Sequence, residues 1–314
     1  MSCVREYRER MRASAAMRTL EAWYDHMDIG RVMDLVRAET SEQRLGKKEA
    51  RQAEKDIAKA RTRDHLRAFS KLTTTVGRDM RIAADPPLIV PLDDLVLAGT
   101  TPGEVDEWMR SLLASYRQSL ADQHHPIEEF DYVHTARKVV GVGSVGTRAW
   151  IHLLVGRDDR DPLLLQSKEA QASVLERFVG ESEHMTNGQR VVVGQRLMQA
   201  ASDIVLGWLR VEGLDGQTRD YYVRQLHDWK GGAEVESLLV PGATLYAQLC
   251  GATLARAHAR WGDRIAIASY LGKRDVFDRA IADFAVAYAD QNERDYEALS
   301  AAVASGRLEA APGL

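Results

Sequence analysis

Cysteine is nearly absent: Cys3 and Cys250 are the two in 314 residues. Two cysteines cannot build a disulfide framework, and neither stands in a cluster with metal-ligand spacing. No apolar run approaches the ~20 residues needed to cross a bilayer. The first residues, MSCVREYRERMR, are charged where a signal peptide needs an apolar stretch. A dominant charge is missing too: 42 Lys and Arg stand against 46 Asp and Glu, a net charge of −4, which is no nucleic-acid signature for the whole protein. With 45% hydrophobic and 28% charged residues, the composition excludes a disordered chain. What remains is a soluble, cytoplasmic globular protein with no membrane or nucleic-acid partner, long enough for one large domain or two modest ones.

The charge is unevenly spread. Residues 1–83 hold 19 Lys and Arg against 13 Asp and Glu, a balance of +6 that leaves −10 for the rest. Val4, Tyr7, Met11, Leu20 and Trp23 recur at helical spacing, and an Ala-rich, mixed-charge helix runs from about Ser41 to Leu72. Its charges alternate in sign and lack interleaved aromatics, so the reading is a solvated helix with i,i+4 pairs rather than a basic arm for nucleic acid or an acidic partner. Asp85-Pro86-Pro87 breaks the helical pattern, and LIVPLDDL reads as an extended connector. Thr101-Pro102-Gly103-Glu104 is a helix start, with Thr as N-cap, Pro in the first turn and Glu at the third helical position. That helix should bury Val105, Trp108, Met109, Leu112, Leu113 and Tyr116, and His124-His125-Pro126 ends it. The two histidines diverge on an ending helix and have no third ligand at suitable spacing, so no metal is assigned to them.

From Asp131 the texture changes to strand. Leu163 to Lys168, Trp208 to Val211 and Tyr221 to Leu226 read as strands, with a helix from about Gly188 to Ser202 among them. Beyond Pro241 the chain is helical and Ala-rich. The expected architecture is α+β: a small antiparallel sheet with one packed helix, embedded in a larger helical lobe. The expected boundaries are residues 1–130 for an N-terminal helical region, 131–230 for a glycine-loop and sheet lobe, and 231–314 for a C-terminal helical lobe.

Within the sheet block, Gly141-Val142-Gly143-Ser144-Val145-Gly146 matches G-x-G-x-x-G. A dinucleotide-binding fold would place a helix directly after this loop. Here TRAWIHLLVG follows and reads as a strand. The kinase type of loop joins two antiparallel strands instead, and its amides cover phosphate. That geometry needs a cation on the third strand, where Lys168 stands as the sole lysine between Lys138 and Lys230. Arg148 is a further phosphate candidate. A carboxylate to orient the lysine is not assignable: Glu176, Glu181 and Glu183 precede the next helix, while Gln195 and Gln199 stand inside it. Backbone groups around Gln225–His227 are placed to meet an adenine edge, or else form a plain connector. The competing reading of the whole motif is a structural glycine hairpin with an edge lysine.

The blocks VVGVGSVGTRAW, LLLQSKEA, GQRVVVGQRLMQAASDIVLGW, YYVRQLHDWKG, LARAHARWGD and FAVAYADQNERDY resemble an uncharacterised bacterial family, domain of unknown function 2252, over essentially the whole chain. That family is related to the protein-kinase and aminoglycoside-phosphotransferase group. The resemblance implies a kinase-like fold with an ATP site at Gly141, Gly143, Gly146 and Lys168, Mg²⁺ as companion ion and a small-molecule acceptor; Ser144, Arg148 and Gln225 complete the candidate nucleotide-binding set. The helix Ala252–Arg260 is similar to the one that precedes the catalytic loop of aminoglycoside kinases. The family also carries Gly-Asp-Ala-His…Asn-Phe-Gly and Asn-Asp-Phe-Asp-Glu segments ahead of its glycine loop, expected to supply the catalytic and metal-binding aspartates. This sequence contains neither, and Met1 falls where that segment would end. No catalytic residue is therefore assigned. Asp283-Phe284-Ala285 imitates a metal motif but lies in a periodic helix, which makes Phe284 a core residue. The expectation is a kinase-like nucleotide-binding protein, a remnant or partial phosphotransferase. The alternatives are a non-catalytic interaction module and a dinucleotide-dependent oxidoreductase.

Overall fold

The structure is a computed structural model that describes residues 1–42, 45–61, 65–77, 79–95, 101–120, 125–139, 146–213, 216–226 and 233–310. The first helices are α1 (Ser2–Ala16), α2 (Thr19–Tyr24), α3 (Ile29–Ser41), α4 (Lys47–Arg61) and α5 (His65–Leu72). Strands β1 (Thr73–Val76), β2 (Asp79–Ile82) and β3 (Ile89–Pro91) follow, then α6 (Pro102–Arg117), β4 (Asp131–Lys138), β5 (Ala149–Val155) and β6 (Pro162–Ala170). After these come α7 (Glu176–Val179), α8 (Asn187–Met198), β7 (Gly207–Glu212), β8 (Thr218–Gln225), α9 (Val240–Trp261), α10 (Arg264–Leu271) and α11 (Val276–Ala304). Contacts divide the chain into two compact units. One is Met1–Ala58 with Leu197–Ala200 and Gly232–Leu314; the other is Lys59–Arg196 with Ala201–Gly231.

The first unit is helical. Met11 of α1 is fully buried among Ala255 and Ala259 of α9 and Ala268 and Leu271 of α10. The small alanines let the helix backbones approach closely. Arg8 lies beneath the same helices and grips Asp278 of α11 in a bidentate pair, Nε to Oδ1 at 2.9 Å and NH2 to Oδ2 at 2.9 Å. Its remaining nitrogen donates to the Lys273 carbonyl at 3.1 Å. Asp263 caps α10 by accepting from the Ile265 and Ala266 N–H groups. Beyond Asp278, α11 is largely exposed. Phe284 is 64% exposed and stacks on Tyr288 at 5.9 Å, so the helical period that made it a core residue misplaced it. The long helix has few described neighbours in its own unit to bury that stripe.

The second unit is built on a six-stranded antiparallel sheet in the order β3-β4-β5-β6-β8-β7, with a separate β1-β2 hairpin. The LIVP segment expected as a connector is β3, paired along the edge with β4 from Ile89↔Lys138 to Pro91↔Ala136. Strands β5 and β6 are nearly continuous apolar runs because both sheet faces are covered. On one face α6 packs Tyr116, Leu112 and Leu113 against Leu154, Leu165, Leu209 and Val223. The helix starts as its sequence indicated. Thr101 Oγ1 accepts from the Glu104 N–H at 3.3 Å, and Glu104 Oε2 accepts from the Thr101 N–H at 2.7 Å. On the other face, Phe69 and Leu72 of α5 and Met80 and Ile82 of β2 cover Ala136, Ile151, Leu153 and Leu164. Helix α8 lies on that second face as well. A Cβ at Gly188 would sit 2.3 Å from the Tyr221 carbonyl oxygen and 3.0 Å from Trp208 Cβ, so this approach requires glycine. The sheet thus carries helices on both faces, where the sequence indicated one packed helix.

Candidate functional site

The glycine segment joins β4 to β5, two antiparallel neighbours whose register includes Arg137↔Trp150. Gly141, Gly143 and Ser144 lie outside the described residues. Gly146 is described and has φ +81°, a left-handed conformation that suits glycine. A strand, not a helix, follows it, which removes the dinucleotide-binding reading. The returning chain is clasped to β6. The Arg148 N–H donates to Glu169 Oε2 at 3.0 Å, and the Glu169 N–H donates to the Arg148 carbonyl at 2.9 Å.

Register then decides which side chains meet. Lys168 pairs with Ala149 on one side and Tyr222 on the other, so it stands on the first rung after the glycine segment rejoins the sheet. Gln166 pairs with Arg224 one rung further along. Directly paired residues share a face and alternate residues return to it. Lys168 and Arg224 therefore occupy the same face, the one that carries α8. Burial lowers the Lys168 pKa and the neighbouring Arg224 charge lowers it further. Arg224 Nε is buried with no hydrogen-bond partner among the described residues. Among those residues Lys168 has no carboxylate partner either.

Helix α8 (NGQRVVVGQRLM) offers no acid to Lys168. It contributes Arg190, whose NH2 donates to the Gln171 carbonyl at 2.7 Å, three residues past Lys168. Glu176 is occupied in accepting from the Ser173 N–H at 3.1 Å, and Glu181 and Glu183 belong to the segment between α7 and α8. At the α8 start, the Asn187 N–H donates to Asp220 at 2.8 Å, and Asp220 is gripped by Arg210 at 2.6 and 3.0 Å.

A family model described as "Uncharacterized protein conserved in bacteria (DUF2252)" matches residues 1–302. The chain belongs to the DUF2252 family. No curated protein and no solved structure matches it.

In this DUF2252 chain the residues expected to share a phosphate site do not all come together. Arg148 precedes Ala149, so strand alternation sends it to the face opposite Lys168, where it lines a cavity with Trp150, His152 and Ser167. Arg224, which the sequence did not single out, stands on the face of Lys168 instead. The signal was present in YYVRQ, whose two-residue period puts Tyr222 and Arg224 on one face, but the β6-β8 pairing that brings them to Lys168 was not. The Gln225 N–H donates to Asp203 Oδ2 at 2.6 Å, so that donor is already engaged. His227 lies outside the described residues. His125 Nδ1 accepts from the Ile127 N–H at 3.2 Å, and its Nε2 donates to the Ile204 carbonyl at 2.8 Å, a purely structural pairing. Among the described residues no group of three His, Cys, Asp or Glu is arranged to hold a metal ion, and no helix is long and apolar enough to cross a membrane.

Proposed function

We propose that this DUF2252 chain is a kinase-like nucleotide-binding protein, in which Lys168 and Arg224 hold the phosphates of ATP on the sheet face that carries α8. One observation carries the reading: two cations share a half-buried face near the start of β5, with no carboxylate among the described residues to neutralise Lys168. Like charges brought together out of water are costly, and an anion between them reverses the sign of the interaction. The order of elements supports the same reading. Antiparallel β4 and β5 are followed by a third strand bearing the lysine, then α7 and α8, then two more strands of the same sheet. Phosphoryl transfer further requires Mg²⁺ and a carboxylate to position an acceptor hydroxyl. The helix that should present the lysine's partner carries arginines instead, so the proposal is of binding. A small-molecule acceptor is proposed only by analogy with aminoglycoside kinases.

Titration calorimetry of the full chain with ATP, with and without Mg²⁺, tests this. Lys168→Ala and Arg224→Ala should each weaken ATP by roughly ten- to a hundredfold, the worth of one charge-assisted contact. Affinity that ignores magnesium would fit a phosphate site made of cations alone, and magnesium dependence would require metal-binding carboxylates within it. Absence of binding at millimolar ATP in a folded chain defeats the proposal. It would favour an interaction module, for which the exposed Phe284, Tyr288, Tyr296 and Leu299 of α11 already argue.

A further inference from the structure

On the sheet face opposite Lys168, α6 does not close fully onto the strands. A cavity of about 230 Å³ lies between them, larger than the ~150 Å³ apolar void that admits a benzene ring. Trp108 and Leu112 of α6 face Trp150 and Leu209 of the sheet across it. Trp108 donates its ring N–H to the Glu212 carbonyl at 3.3 Å, and Tyr116, also in the wall, donates its hydroxyl to the Val205 carbonyl. Both therefore offer the cavity ring surface rather than a donor. Arg148 and Arg219 line it as well, but each is engaged with other groups. Polar chemistry enters at the floor, where His152 and Ser167 stand. His152 Nε2 lies 2.8 Å from Ser167 Oγ, and Nδ1 lies 2.9 Å from Thr135 Oγ1, with all three residues buried.

The hydrogens of this chain outnumber its bonds. Thr135, a neutral His152 and Ser167 bring one hydrogen each, on the two hydroxyls and the ring, to the two contacts Thr135–His152 and His152–Ser167. Burial lowers the His152 pKa to about 4, so the ring is neutral at neutral pH, and a charged ring would only add to the surplus. One hydroxyl hydrogen is left over, and the ring tautomer decides which. With the ring hydrogen on Nδ1, the surplus sits on Thr135, which is buried and has no second partner among the described residues. A buried donor without an acceptor is costly. With the ring hydrogen on Nε2, Thr135 donates to Nδ1, Nε2 donates to Ser167 Oγ, and the Ser167 hydroxyl keeps a hydrogen to donate into the cavity. We propose that this cavity binds a small uncharged carbonyl compound, a cyclic or aryl ketone or aldehyde, with its apolar body between α6 and the sheet and its oxygen accepting from Ser167. The apolar walls reward a ring and give no partners to a sugar or a peptide backbone. This site is separate from the nucleotide reading, because the sheet itself divides the two faces.

The probes are 1-indanone and indane, one ring system with and without the carbonyl, titrated calorimetrically into the full chain. Both should bind saturably. Ser167→Ala should weaken 1-indanone about three- to tenfold, the worth of one neutral hydrogen bond, and should not weaken indane. Val211→Phe from β7 and Leu112→Trp from α6 each put a larger ring into the cavity and should abolish binding of both probes. No saturable binding of 1-indanone overturns the proposal, as does a folded S167A that loses both probes equally or loses neither. Saturable binding that persists in a folded V211F or L112W overturns it too. If neither blocking variant folds, S167A decides, since it removes a single oxygen and leaves the packing of α6 on the sheet in place.

Discussion

Acidification should destabilise the sheet unit through one buried imidazole. Burial takes His152 from its ordinary 6.5 down to about 4, so between those values the unfolded chain binds a proton that the folded chain refuses. The stabilising contribution is therefore complete above pH 6.5 and is lost progressively as pH falls toward 4. At about 1.4 kcal/mol per pH unit across that window, the loss approaches ~3 kcal/mol. His134 shifts in the same direction, lowered first by burial and partly restored by Asp93, so the parent chain alone would not isolate His152. His152→Gln does, because an amide can still bond Ser167 but does not titrate. Urea unfolding followed by tryptophan emission, with Trp108, Trp150 and Trp208 reporting from this unit, should give a steeper acid limb for the parent chain than for H152Q. The difference should open below pH 6.5 and level off near pH 4. Identical acid limbs would refute the reasoning, as would an NMR titration that finds His152 protonating near 6.5.

Two further substitutions probe the packing. Asp278→Ala leaves the Arg8 guanidinium buried without its carboxylate and should cost about 3–5 kcal/mol in urea unfolding, whereas the paired replacement Arg8→Met/Asp278→Leu should recover most of that loss. A cost below about 1 kcal/mol for the single change would mean that the pair is solvated. Gly188→Ala would ordinarily favour a helix by about 1 kcal/mol. The carbonyl of Tyr221 stands 2.3 Å from the new methyl, so the thermal midpoint should fall instead, by an amount corresponding to roughly 1–3 kcal/mol.

Much of the local structure was legible because local rules govern it. The Thr101 and Glu104 capping box, the turn to strand at Asp131, the strand carrying Lys168 and the helix after it each depend on spacing within a few residues. The family was legible from long blocks of similarity, and the match over residues 1–302 shows it. Errors began where a pattern needed a partner. The period of α11 marks a stripe but does not say whether anything covers it, and Phe284 is exposed. LIVP looked like a connector because three residues carry little periodicity, yet pairing with β4 makes them a strand.

The chain by itself determined helix α6, the strands β6, β7 and β8, helix α8 and the lone lysine of the sheet block. Tertiary structure alone decided the company that lysine keeps. Strand parity places Arg148 and Lys168 on opposite faces, and pairing β6 with β8 rather than with its sequence neighbour β7 brings Arg224 to Lys168. The same holds for Arg8 and Asp278, partners across 270 positions of sequence. Short-range spacing dictates backbone conformation through sterics and hydrogen bonding, but which charge meets which depends on register and topology, and those are settled by burial of the whole sheet and bundle.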